Sequence, residues 1–274
     1  MKIFLFFFLF LNFYLFGQTP FSDSTLDAGI DNIYDVYQGL FGGGVVAFDY
    51  NNDGYEDLFI TGGQGQDVLY NNNGDGTFKD VTKESGLYKE KMIVTTGVSS
   101  ADVNKDGFID LFITTIASEV DPSKKKKTLA PNLLYINNGD GTFSDFSSKY
   151  GITKNNFSTS SSFGDINADG YPDLFVGNYF KNFYFEDSPF NTHNIALLNH
   201  YSINEEYETG DDELFINVEG KYFKEVSDLL LDSGKGYGFG GVFTDFDNDN
   251  DLDLFIINDF GETSESNRLL VNQY

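Results

Sequence analysis

The chain has 274 residues and a formal charge of −26, from 17 Lys and Arg against 43 Asp and Glu. Phosphate binding needs a basic surface, so this balance argues against a nucleic-acid partner or an anionic membrane surface, and suits carboxylates neutralised by bound cations. With no Cys and 2 His, disulfides, thiolate sites and His-rich zinc or copper sites are excluded or improbable, while 40% hydrophobic and 17% aromatic residues are enough to build a core.

The first segment reads as an export signal. Lys2 precedes a run from Ile3 to Phe16 that is apolar except for Asn12. That run is shorter than the roughly 20 residues a bilayer-spanning helix needs. Gly17 then meets Gln18-Thr19-Pro20, which places cleavage near residue 17 and predicts a secreted, periplasmic or surface-held product. No Cys follows, so a lipoprotein is not expected, and no later stretch is long enough to span a membrane. The 29 Gly predict many tight turns, as in an all-β chain.

From residue 40 onward, internal repeats dominate, and two motifs alternate. The first is D-x-[DN]-x-D-G-x-x-D. It occurs at Asp49 to Asp57, Asp102 to Asp110 and Asp165 to Asp173, and at Asp245 to Asp253 with Asn250 in place of Gly. Each copy follows an apolar, Gly-containing stretch and precedes Leu-Phe-Ile or Leu-Phe-Val. The second motif runs from Leu69 to Val81 and from Leu134 to Phe146 around Asn-Gly-Asp-Gly, with a degraded copy from Leu214 to Val226. Asn and Gly accept positive φ, so this is a hairpin signal. Each unit then supplies four strands, and four-stranded sheets repeated at this period predict propeller blades. The expected fold is an all-β propeller of four units, at about 44–87, 97–152, 161–230 and 240–274, with an N-terminal strand at 21–30.

The first motif has the chemistry of a calcium loop. Side chains at positions 1, 3 and 5 converge, Gly at position 6 allows a sharp turn, and a position-7 carbonyl with a position-9 carboxylate closes the shell. The candidate ligands are Asp49, Asn51, Asp53, Tyr55 and Asp57; Asp102, Asn104, Asp106, Phe108 and Asp110; Asp165, Asn167, Asp169, Tyr171 and Asp173; and Asp245, Asp247, Asp249, Asp251 and Asp253. Hard oxygen donors without nitrogen or sulfur favour Ca²⁺, up to four ions, over the more demanding octahedral Mg²⁺. An EF-hand is rejected, because it needs Glu at loop position 12, where this chain has Ile60, Ile113, Val176 and Ile256.

Other segments read as loops. Ser118 to Ala130, with Lys124 to Lys127, is expected to be a solvated loop. An aromatic-rich insertion at about 178–212 holds His193 and His200 and could form a binding lid. Gly62 to Leu69 resembles one calcium β-helix repeat but has no tandem copy, so it reads as a flexible inter-strand loop.

The acidic loop followed by Leu-Phe-Ile, then Asn-Asn-Gly-Asp-Gly-Thr-Phe, resembles the FG-GAP/VCBS repeat, which builds calcium-bearing β-propellers such as the N-terminal region of integrin α chains. With Phe78 to Leu87 (Phe-x-Asp-Val-Thr-x-x-x-Gly-Leu), the chain is similar to secreted proteins of the cartilage acidic protein and bacterial ASPIC/UnbV type. The resemblance covers residues 21–274 apart from the two insertions. It departs at Asn250 and at the turn Val218 to Lys221, and no stretch matches an ASPIC/UnbV tail. It implies that each acidic hairpin joins the first and second strands of a blade.

The functional expectation is an exported, non-enzymatic module, of adhesion type, that binds a protein or glycan on a calcium-stiffened propeller. The alternative is the propeller part of a secreted carbohydrate-active lyase or hydrolase. Paired carboxylates could do acid–base work, but the conspicuous ones are claimed by metal. No G-x-S-x-G, H-E-x-x-H or P-loop occurs. The fourth unit contains no Phe-x-Asp strand, whereas Phe21-Ser-Asp23-Ser-Thr25 has no blade before it. Either the N-terminal strand closes a four-blade ring, or the ring is incomplete and its remainder belongs to a longer propeller chain; the latter is the favoured expectation.

Overall fold

The computed structural model describes residues 21–35, 42–121, 126–181, 208–231, 236–259, 261 and 264–273. The segment at 1–17 expected to be a leader and both histidines lie outside the described residues. The first sheet holds β1 (Val45–Phe48), β2 (Asp57–Ile60), β3 (Val68–Asn72) and β4 (Phe78–Asp80) in that order. The second holds β5 (Ile93–Ala101), β6 (Asp110–Asp121), β7 (Lys126–Thr128), β9 (Leu133–Asn137) and β10 (Phe143–Asp145). The third holds β8 (Ala130–Pro131), β11 (Asn155–Gly164), β12 (Asp173–Phe180), β13 (Glu213–Val218) and β14 (Tyr222–Glu225). The fourth holds β15 (Tyr237–Thr244), β16 (Asp253–Asp259) and β17 (Arg268–Leu270). All strand pairs between neighbours within these sheets are antiparallel. The inner strands touch in the series β1, β5, β11, β15. This is a propeller architecture: an arc of blades, each a meander running from the inside outward.

The Asp-Leu-Phe-Ile strands explain why the blades stack. Successive side chains of a strand point to opposite faces. In β6, Leu111 and Ile113 enter the core shared with the first blade, and Phe112 enters the core shared with the third. β12 repeats the arrangement: Leu174 and Val176 face back and Phe175 faces forward. Phe59, Phe112 and Phe175 are fully buried in these cores, as their alternation predicts. Phe255 is only half-buried, because no further described blade covers its face.

Three segments differ from expectation. Residues 21–30 form no strand: residues 25–29 form a turn, and Phe21 is fully exposed, because among the described residues no strand pairs with them. Their turn is the same as the one that follows β4 and β10, with Asp23 Oδ1 accepting from Thr25 N at 3.0 Å and Thr25 Oγ1 at 2.7 Å. The Ser118–Ala130 segment is a hairpin rather than a plain loop, since β6 runs on to Asp121 and β7 pairs back onto it. The Gly62–Asp67 loop is tied down at several points. Asp67 Oδ1 accepts from Gly62 N at 2.7 Å and Thr95 Oγ1 at 2.6 Å. The buried Lys89 ammonium lies 3.1 Å from Asp67 Oδ1, 3.2 Å from Ile93 O and 3.3 Å from Gly63 O.

Candidate metal centre

The four acidic loops connect β1 to β2, β5 to β6, β11 to β12 and β15 to β16, the first and second strands of each blade. They neighbour one another along one rim. Asn52 Nδ2 of the first loop donates to Gly107 O of the second at 3.1 Å, and the Lys105 ammonium of the second lies 4.2 Å from the Tyr171 ring centre of the third.

Backbone geometry sets each loop. Position 6 is left-handed throughout, at Gly54, Gly107, Gly170 and Asn250, so Asn250 takes the conformation that Gly takes elsewhere. Position 4 is left-handed as well, although it is occupied by Asn52, Lys105, Ala168 and Asn248. With the chain so curled, the position-1 carboxylate accepts two amides across the loop. Asp49 Oδ1 takes Asp53 N at 3.0 Å and Oδ2 takes Gly54 N at 2.7 Å. Asp102, Asp165 and Asp245 repeat both bonds. In the first three loops the position-3 Asn accepts the position-5 amide and donates Nδ2 to the position-5 carboxylate, as Asn51 does with Asp53 at 3.0 Å each. Position 7 contributes its backbone, and its ring in the first three loops covers the glycine of the turn between third and fourth strands: Tyr55 over Gly74, Phe108 over Gly139, Tyr171 over Gly220.

Position 9 is the buried member. Asp57, Asp110, Asp173 and Asp253 are each fully buried. One oxygen of each accepts the amide of loop position 2, from Tyr50, Val103, Ile166 and Phe246 at 2.9–3.1 Å. The other accepts the amide of an asparagine at the end of the third strand, Asn72, Asn137, Asn217 or Asn272, at 2.7–2.9 Å. Burial, reinforced by Asp106 and Asp102, pushes Asp110 up to about 7 in spite of those amides. The same causes, with Asp169 and Asp165, push Asp173 up to about 6, and Asp57 is raised likewise. Partial desolvation and Asp249 raise Asp247. These loops concentrate negative charge that one nearby ammonium, Lys105 over the Tyr171 ring of the third loop, does not balance, a condition that a bound cation relieves.

The donor set fits a hard cation. Oxygens of Asp245, Asp247 and Asp253 lie within 4.8 Å of one another, the grouping of three metal-competent side chains found among the described residues. Among the described residues, Asp249 and Asp251 lie outside that group and no three acidic side chains of the other loops converge in this way; the candidate set there is the two carboxylates at positions 1 and 5, the Asn oxygen at 3, the carbonyl at 7 and the carboxylate at 9. Carboxylate oxygens that accept one amide keep further lone pairs for a metal.

Sequence reasoning missed the asparagine of the third strand. Asn137 Nδ2 donates to Tyr50 O of the preceding blade's loop at 2.7 Å, Asn217 Nδ2 to Val103 O at 2.8 Å, and Asn272 Nδ2 to Ile166 O at 2.8 Å. Asn72 has no described loop behind it and donates to Glu56 O of its own loop at 2.9 Å. The signal was present in Leu-Tyr-Asn-Asn, Leu-Tyr-Ile-Asn, Leu-Phe-Ile-Asn and Leu-Leu-Val-Asn, which end on Asn each time.

Comparison with known proteins agrees with the repeat geometry. Residues 49–113 and 120–176 match the family profile described as an FG-GAP-like repeat. No curated protein matches the chain.

Proposed function

Taking these FG-GAP-like repeats as the premise, we propose that the chain is an exported propeller module whose four acidic loops bind Ca²⁺, stiffening a rim that binds a protein or glycan ligand in an adhesion-type role. The observation that carries the calcium assignment is the fourfold burial of the position-9 carboxylate beside acidic partners. Asp57, Asp110, Asp173 and Asp253 each occupy the same two-amide seat, and in the fourth loop Asp253 converges with Asp245 and Asp247. A buried carboxylate next to others is costly unless a cation compensates it. Hard oxygen donors in a flexible loop suit Ca²⁺.

The role of the ion in this reading is structural, and the protein is not an enzyme. The conspicuous carboxylates are engaged in the loops, which leaves none of them free for acid–base chemistry. The leader at residues 1–17 supports export, and among the described residues no helix is long and apolar enough to cross a membrane. The binding face is assigned to the rim because Tyr55, Phe246 and Tyr222 stand exposed on or beside the loops, where aromatic rings can stack on a ligand.

Thermal unfolding in chelator and in millimolar Ca²⁺ tests the metal. A ligand at about 100 times its dissociation constant stabilises by roughly 2.7 kcal/mol per site, so melting should rise by many degrees. An unchanged melting temperature removes the calcium reading. A glycan array in calcium, run beside a reducing-sugar release assay, tests the binding role. Sugar release would favour the lyase or hydrolase alternative.

A further inference from the structure

One bond recurs at the two junctions among the first three blades and where residues 25–29 meet the first blade. The carbonyl of Ala28 accepts the amide of Phe78 at 2.8 Å, that of Ser85 accepts Phe143 at 2.8 Å, and that of Tyr150 accepts Phe223 at 2.9 Å. Phe78 and Phe143 open fourth strands and Phe223 is the second residue of one; Ser85 and Tyr150 lie in the turn after the preceding fourth strand, and Ala28 lies in the equivalent turn at residues 25–29. For Phe143 and Phe223 the ring then fills the core between blades. Phe223 lies 5.9 Å from Tyr150, 6.5 Å from Phe163 and 6.4 Å from Phe215 between ring centres.

At the fourth blade the equivalent carbonyl belongs to Leu230, at the end of the short 3-10 helix Ser227–Leu230. Beside it is a cleft of about 530 Å³ lined by Ile166, Leu214, Phe243, Leu254 and Leu270. Repeat register equates these residues with Val103, Leu134, Phe163, Leu174 and Phe215, which pack in the core that holds Phe223. The cleft therefore has the shape and chemistry of the phenylalanine seat of a fourth strand. Among the described residues no strand pairs with the outer edge of β17.

The chain also carries the matching strand. Phe21-Ser-Asp23-Ser-Thr25 repeats Phe78-Lys-Asp80-Val-Thr82. Its Asp23–Thr25 turn is already formed, and Ala28 already holds it to the first blade. Its Phe21 is fully exposed and lies in no sheet, so it does not fill the cleft of its own chain. Val45 on β1 and Val242 on β15, the inner strands at the two ends of the arc, are exposed as well.

We propose that the cleft beside Leu230 takes residues 21–25 of a second copy of this chain. The segment adds antiparallel to β17, Phe21 enters the cleft, and its amide donates to Leu230 O. The junction continues the inter-blade interface already repeated within the chain. Main-chain pairing supplies affinity and the side-chain pocket supplies register. The contact is heterologous, so successive copies either close into a ring or extend as a chain.

The test uses the full chain in calcium, with molar mass by light scattering and amide exchange over a range of concentrations. Assembly should rise with concentration and bring exchange protection to residues 21–25. Phe21→Ala alters a side chain that is exposed in the single copy, so it should leave melting of the single copy unchanged while weakening assembly at least about tenfold. Leu270→Lys, at the seat, should weaken assembly as well, and it should also lower melting of the single copy, because Leu270 packs on the core of the last two blades. A mixture of the two variants should assemble one to one and stop there, since one intact junction remains. A single copy at every concentration overturns the proposal, whether residues 21–25 are unprotected or are protected independently of concentration within their own chain. Assembly that Phe21→Ala leaves intact also overturns it.

Discussion

Asn137→Ala should cost far more stability than Asn72→Ala, although the two residues occupy the same place in successive blades. Asn137 is buried; its Nδ2 donates to Tyr50 O at 2.7 Å and Ile109 O at 3.3 Å, and its Oδ1 accepts Gly139 N at 3.0 Å. Truncation leaves Tyr50 O without this donor inside the blade junction and frees the Gly139 amide. A buried group stripped of its partner costs about 1–3 kcal/mol, so the sum is about 3 kcal/mol. Asn72 is half-exposed and bonds within its own loop and turn, at Glu56 O and Gly74 N, so its replacement should cost about 1 kcal/mol. For a domain of this size, each kcal/mol moves the midpoint by about 2–4 °C, giving roughly 6–12 °C against 2–4 °C. Urea titrations and thermal melts of both variants, measured at one calcium concentration, give the comparison. Equal losses would refute the claim that this side chain clamps one blade to the loop behind it.

Other outcomes follow from the loops and the buried ion pair. In calcium, Asp102→Ala should lower melting by several degrees. Glu90→Ala, on the surface, should stay within about 0.5 kcal/mol, and equal shifts would contradict the loop assignment. In chelator, stability should fall as pH rises from about 4 to 7, because Asp110 and Asp173, pushed up to about 7 and about 6, hold protons that the unfolded chain has released. Calcium should reverse that slope, since protons compete with it for the same oxygens; identical pH profiles with and without calcium would count against the site. Lys89→Met should destabilise by about 3 kcal/mol by leaving Asp67 buried and unpaired. Adding Asp67→Asn should recover most of that, because Asn132 already accepts the corresponding amide, Thr115 N, in the second blade; failure of the double variant to recover would refute the pairing.

The acidic loops were legible because their chemistry is local: five positions within nine residues determine both curl and charge. The alternation in Asp-Leu-Phe-Ile is local as well, and it puts Phe59, Phe112 and Phe175 on the buried faces. Features that depend on distant partners were not legible. The run Asn71-Asn72-Asn73 looked like turn chemistry, and nothing local distinguishes the Asn that clamps a neighbouring blade in the later copies. The Gly62–Asp67 loop looked flexible because the ammonium that ties it down comes from Lys89, beyond two further strands. Residues 21–30 carry a strand pattern, but a strand also needs an edge to pair with, and among the described residues none pairs with them. The left-handed φ at Ala168 and Lys105 was hidden too, since neither residue announces that conformation.

The asparagine clamp has a consequence for how ions load. Asp110 holds the Asn137 amide, Asn137 holds Tyr50 O, and Tyr50 N is held by Asp57, so the fourth side of one loop is fastened to the second residue of the loop behind. The same relay joins Asp173 to Val103 through Asn217, and Asp253 to Ile166 through Asn272. Sites wired in series behave as a one-dimensional array with nearest-neighbour coupling. If the proposed ions fill these loops, each would order the backbone of the preceding loop through this relay, and binding along the arc would be positively cooperative, each ion lowering the ordering entropy left for the next.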